Sequence, residues 1–274
     1  MSPSPLENVI AAFHEIERVR PSGQPQGKIP PVARFAVTLT FLVTLVSFDK
    51  YDFPGVLGMT VYPLALALAE KIPVARGLRQ LRHALLLVVL LGIANPFFDR
   101  AVAVRIGTVA ISGGWLSFAV LFLKGVLALL AGWSLLRLTG VDGMARTFAS
   151  LRFPPSFGFS ILLMHRYLVI MAKETIRMRD AYTLRSGTRG SALKPSAWGP
   201  FAGLLLLRSI DRSNRVKDAM DLRGYSGAYR LPRPSDESTS AGWLYFVLWT
   251  GCFAAIRYCD PMLAIGKLAL EIFK

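Results

Sequence analysis

A chain of 274 residues has the length of one or two soluble domains, yet 53% of it is hydrophobic while its formal net charge is +15. Mean hydropathy is +0.44, and apolar residues and charges are segregated into blocks rather than interleaved, which excludes an ordinary soluble domain. Apolar blocks of near-spanning length between basic loops indicate an all-α, polytopic helical membrane protein with about five transmembrane helices. Retained cytoplasmic charge accounts for the basic excess, so nucleic acid is not expected as a partner.

Residues 1–31 read as an N-terminal amphipathic segment. Leu6, Val9, Ile10, Phe13 and Ile16 share one helical stripe, too short and too charged to span, so it is expected at the bilayer interface or against a partner. The chain begins Met-Ser-Pro-Ser-Pro without an apolar core, so no cleavable signal peptide is expected. Residues 32–137 hold four candidate spans, at about 32–48, 53–70, 83–98 and 113–137. A fifth, at about 241–258, opens the last segment, 241–274.

Orientation follows from the loops. Arg18, Arg20, Lys28 and Arg34 precede the first span, and Lys71, Arg76, Arg79 and Arg82 fill the second loop. The first and third loops carry only Lys50, and Arg100 with Arg105. The positive-inside bias therefore puts the N-terminus and the 138–240 stretch in the cytoplasm, with the chain in the inner membrane. Lys267 and Lys274 fit that rule poorly at a C-terminus left outside by five spans.

The 138–240 stretch is expected to be a helical domain. A short helix over 141–151 is closed by Phe153-Pro-Pro155, and longer helices run over 157–184 and 198–222. In the first long helix Met164, Tyr167, Leu168, Met171, Thr175, Met178 and Tyr182 fall near one face. Both long helices start greasy and finish charged, and both end in the same string. The first reads Arg179-Asp-Ala-Tyr-Thr-Leu-Arg-Ser-Gly187 and the second Lys217-Asp-Ala-Met-Asp-Leu-Arg-Gly-Tyr-Ser-Gly227.

A cation and a glycine at a helix end are explained by capping alone, since the terminal carbonyls carry partial negative charge. Capping does not require an alanine four residues before the arginine. Ala181 with Arg185, and Ala219 with Arg223, lie one turn apart on one face. A small residue allows close approach there, and the arginine offers a planar five-donor fork. Such an element suits mechanical coupling to another protein rather than chemistry.

This string and its upstream partner resemble the Ala-Arg-Gly motifs of energy-coupling factor (ECF) transporter transmembrane components, most narrowly the cobalt-type CbiQ family. The likeness extends through Leu138-Thr-Gly-Val-Asp-Gly-Met-Ala145, Leu151-Arg-Phe-Pro-Pro155, Tyr167 to Arg179 and Leu207 to Val216, and covers the first spans by pattern only. The resemblance implies a scaffold resting on two ABC-type ATPase subunits and holding a separate substrate-binding membrane subunit, with a small accessory membrane subunit in some systems. It implies ATPase coupling through Ala181, Arg185, Ser186, Ala219, Arg223 and Gly224. One departure stands out: the first copy reads Arg185-Ser186 where the motif has Arg-Gly, and Arg189-Gly190 follows. Either serine serves at that helix end, or the motif's true pair is the later one.

Other sites are weak. No Gly-x-x-x-x-Gly-Lys-Ser/Thr occurs, so ATP is not expected to bind this chain through a P-loop. His14, His83 and His165 lack metal-ligand spacing, and Met164, Met171 and Met178 suit a packing seam better than a soft-metal path. No metal site and no cofactor are expected, and the resemblance implies that a carried metal sits on the separate subunit. Cys252 and Cys259 lie about 10 Å apart along a helix, beyond disulfide reach. Lys124, inside the fourth span, is a candidate intramembrane polar site, either snorkelling to the outer interface or pairing in a subunit interface. The sequence thus favours a non-catalytic importer subunit for cobalt. Nickel or vitamin uptake would use a similar scaffold, and a membrane-embedded enzyme or a non-transport scaffold are the alternatives of other classes.

Overall fold

The computed structural model describes residues 29–70, 74–98, 102–106, 109–151, 153–186, 194–227 and 238–259. The expected amphipathic helix over 5–20, the pair Arg189-Gly190 and the tail beyond 259 lie outside them. The chain forms two compact units that divide between Gly140 and Val141 and again after Pro234.

In one unit α1 spans Pro31–Ser47, opening on a proline whose missing N–H costs nothing in the first turn. Its buried residues, Arg34, Val37, Thr38, Phe41 and Leu45, recur at helical spacing, while Leu39, Val43 and Val46 on the opposite side are exposed. A helix apolar on both sides is at home in lipid, not water. Short helices α2 (Phe53–Gly58) and α3 (Val61–Ala69) follow, then α4 (Val74–Gln80), α5 (Arg82–Gly92) and α6 (Asn95–Phe98). Asp52 caps α2 by accepting from the Gly55 N–H at 3.0 Å. The expected single helix over 83–98 breaks after Gly92 because Pro96, in α6, has no N–H to return to the Gly92 carbonyl.

Among the described residues, a small antiparallel hairpin, β1 (Val102–Ile106) with β2 (Val109–Ser112), interrupts the succession of helices. Its β-branched run suits a pleated strand. Next come α7 (Gly113–Ser150), α8 (Pro155–Ser186), α9 (Trp198–Asp221) and α10 (Thr239–Cys259). Among the described residues, α7 and α10 are long and apolar enough to cross a membrane. Pro31–Ser47 and Arg82–Gly92 are apolar but shorter, and Phe53–Ala69 with Val74–Gln80 qualifies only as a bent pair. The five expected apolar stretches are therefore helical, and several are broken or short.

The core of this unit joins α1, α3, α7 and α10. Tyr62 packs against Phe41 at 4.8 Å with the rings tilted and meets Trp249 edge-on at 4.9 Å, with Phe253 against both Phe41 and Tyr62. Polar groups run along one side of it. Thr38 Oγ1 bonds the Tyr62 hydroxyl at 2.8 Å and the Arg34 carbonyl at 2.9 Å. Arg34, only 6% exposed, donates to the Leu138 carbonyl and to Glu70 Oε1, each at 3.3 Å.

The helix α7 is not continuous. Gly140 takes φ 65° and ψ 176°, a backbone region essentially reserved for glycine that costs a residue with a Cβ about 1–3 kcal/mol. Arg34 thus clasps the last turn before this break to α1 and α3. Arg34→Met is expected to cost about 2–4 kcal/mol by leaving buried polar groups without their donor, with Arg34→Lys losing less. Thermal melts in detergent check this; an unchanged midpoint for Arg34→Met would remove the clasp.

Candidate functional site

The second unit is built from the end of α7, then α8 and α9. Aromatic rings seat the start of α8: Phe148 meets Phe153 at 5.7 Å and Phe157 at 5.6 Å, both edge-on. Along α9 the half-buried positions are Phe201, Leu205, Ser209, Arg212, Val216 and Met220, a stripe at three- and four-residue spacing that faces α8.

Three contacts give the sense of the α8–α9 pair. Phe159 lies against Tyr225 at 5.6 Å, the Arg212 guanidinium sits over the Tyr167 ring at 5.5 Å, and Arg208 forms an ion pair with Glu174. Contacts ascend α8 as they descend α9, so the two helices run in opposite directions. A groove of about 490 Å³, lined among others by Phe159, Leu163, Met171, Val216 and Met220, separates them along part of their length. The pair is held there by charge and ring contacts over a gap rather than by a closed apolar seam.

This arrangement separates the two copies of the repeated string. Measured from the Tyr167–Arg212 contact at 1.5 Å per residue, Arg185 lies roughly 27 Å along α8. Arg223 lies roughly 16 Å along α9, in the opposite sense. Both arginines are exposed. The candidate residues Ala181, Arg185 and Ser186 occupy one end of the pair, and Ala219, Arg223 and Gly224 the other.

The two ends are finished differently. After α9 the Gly224 N–H donates to the Asp221 carbonyl and the Tyr225 N–H to the Met220 carbonyl, both at 3.0 Å. Gly224 has φ 81°, so the turn is a Schellman motif with Arg223 at the C-cap. The glycine is there because the backbone turns left. At the first end Ser186 lies in the last turn of α8 with its hydroxyl donating to the Thr183 carbonyl at 3.3 Å. The basic residues that open the strings also differ. Arg179 is buried and paired with Asp180 at 2.9 Å, whereas Lys217 is exposed.

The methionine stripe holds in part: Met178 is 8% exposed and Met171 lines the groove, but Met164 is 64% exposed. Among the described residues no group of three or more His, Cys, Asp or Glu side chains could hold a metal ion. Lys124 donates to the Phe48 carbonyl, beside Arg257, whose guanidinium covers the Phe48 ring at 4.9 Å and reaches the Ser47 carbonyl at 3.5 Å. Both cations meet the negative end of α1. Sequence reading gave no role to Leu184 or Leu222, nor to the Glu174–Arg208 pair. The leucines were visible as matched positions in the repeat. The ion pair had no local signal, because its partners are brought together only by the antiparallel packing.

Residues 25–234 match the family model of CbiQ, described as cobalt transport protein. No curated protein gives a significant match to the chain.

Glu174 also approaches Arg177 at 3.8 Å, so its carboxylate joins both helices. A double-mutant cycle of Glu174→Gln with Arg208→Gln, read by thermal unfolding, is expected to show a coupling of about 0.5–1 kcal/mol, the range for a partly exposed pair. Strictly additive effects would mean that the pair does not hold α8 to α9.

Proposed function

The chain belongs to the CbiQ family of cobalt transport proteins, and we propose that it is the non-catalytic membrane scaffold of an ABC-type ECF importer. In this reading each end of the α8–α9 pair is gripped by one of two ATPase subunits. Cobalt is cargo, bound by a separate membrane subunit that the scaffold holds. The N-terminus and the α8–α9 unit face the cytoplasm of an inner membrane, a side supported by the basic residues Arg76 and Arg79 of the short helix α4, both exposed.

The observation that carries this reading is the opposed placement of Arg185 and Arg223. Two exposed cations in matched strings, at opposite ends of an antiparallel pair, suit two like partners, one per end. Closure of an ATP-bound ATPase pair would move both ends at once, and the loosely filled α8–α9 contact would let the helices change their angle. The membrane unit then receives the motion through the chain at Gly140.

Arg223→Glu is expected to abolish ATP-driven cobalt uptake, because a reversed charge sets like charges across the interface at a cost of several kcal/mol. Membrane insertion is expected to be unaffected, since Arg223 is exposed and packs against nothing in the helix core. Uptake assays with cells or proteoliposomes, alongside membrane levels of the variant, make the check. Wild-type uptake by the variant would contradict the coupling role. Arg185→Glu is expected to impair uptake as well; if only Arg223 matters, the first end is not a coupling point.

A further inference from the structure

Two leucines in the α8–α9 unit stand out by exposure. Leu184 is 85% exposed and Leu222 is 89% exposed, and each immediately precedes the arginine of its string. An isolated exposed leucine needs no explanation. Two at the same position of a duplicated element do.

The helix geometry explains how the repeat produces them. Tyr182 and Met220 fill the large-residue position of the string, and both are half-buried. The leucine two positions later is rotated about 200° around the helix from that inward residue. The string thus turns a large side chain in and a leucine out, twice. A lipid environment does not account for Leu222, because Lys217, Asp218, Asp221 and Arg223 around it are all exposed and a bilayer does not take a leucine ringed by charges. Leu222 is also held firmly. It directly follows α9, its N–H still bonded to the Asp218 carbonyl, within a hydrogen-bonded Schellman turn, so little freedom is lost when it docks.

We propose that each end docks as a two-pronged plug, the leucine seated in an apolar socket and the adjacent arginine meeting a carboxylate on the socket's rim. The partner surface that fits is a shallow hydrophobic pocket with an acidic edge on an ATPase subunit, one pocket per subunit. This rests on the coupling reading above and adds to it: the arginine meets the carboxylate and sets orientation, and the leucine adds a buried apolar anchor.

The test is equilibrium binding of the detergent-purified chain to the purified ATPase subunits that co-elute with it. Leu222→Asn is expected to weaken binding about 10- to 100-fold, the range for losing one buried leucine side chain. Leu222→Met, which keeps the apolar volume, is expected to stay within about threefold of wild type. Leu206→Asn, at an exposed leucine outside the string, is expected to leave ATPase binding unchanged. If Leu222→Asn binds like wild type while Arg223→Glu releases the ATPase, the leucine anchor is overturned and the coupling reading stands. If both variants bind like wild type, the coupling reading falls too. Loss of the substrate-binding subunit with unchanged ATPase affinity in Leu222→Asn would also overturn the proposal.

Discussion

Where a helix stops or bends inside an apolar layer, the carbonyls in its last turn must find donors from the protein itself, because no water is there to serve them. The membrane unit meets this constraint with cations. Lys124 and Arg257 turn to the Phe48 and Ser47 carbonyls at the end of α1. Arg34 turns to the Leu138 carbonyl just ahead of the break at Gly140. Those donors stabilise the end of α1 and the bend in α7. Lys124 is thereby tied to the carbonyl of a neighbouring helix within its own unit.

The α8–α9 unit solves its helix ends in another way. After α9 the backbone closes on itself around Gly224, so Arg223 is not consumed in capping and stays exposed. That difference separates a cation that serves the fold from one available to a partner. The same contrast appears within the repeated strings. Arg179 is buried against Asp180, while its counterpart Lys217 is exposed. The copies therefore share their outward leucine and arginine but not their packing.

Much of the architecture was legible because its signals are local. The Phe153-Pro-Pro155 stop and the alternation of apolar and charged blocks placed α1, α8 and α9 within two residues of their ends. The paired strings were legible for the same reason. What escaped depends on contacts between distant residues or on a competing local preference. The Val102–Ser112 hairpin lies between two apolar stretches, where Arg100 and Arg105 read as a loop although the β-branched run favours strands. Met164 shares a stripe with Met178 in sequence but is exposed, since a seven-residue repeat drifts around a straight helix by about 20° per repeat. The Arg34–Glu70 and Glu174–Arg208 pairs join residues whose meeting only the packed helices reveal. The antiparallel sense of α8 and α9, which sets Arg185 and Arg223 at opposite ends, was likewise beyond any reading of the strings alone.

The central claim is that one scaffold offers two separate ends to two ATPase subunits. Native mass spectrometry of the complex released from detergent tests it most directly, because it counts subunits per scaffold. The account requires two ATPase chains on each wild-type chain and a single one when either end is disabled by charge reversal. A wild-type complex with one ATPase chain or none, or a double complement that survives reversal of both Arg185 and Arg223, would contradict it.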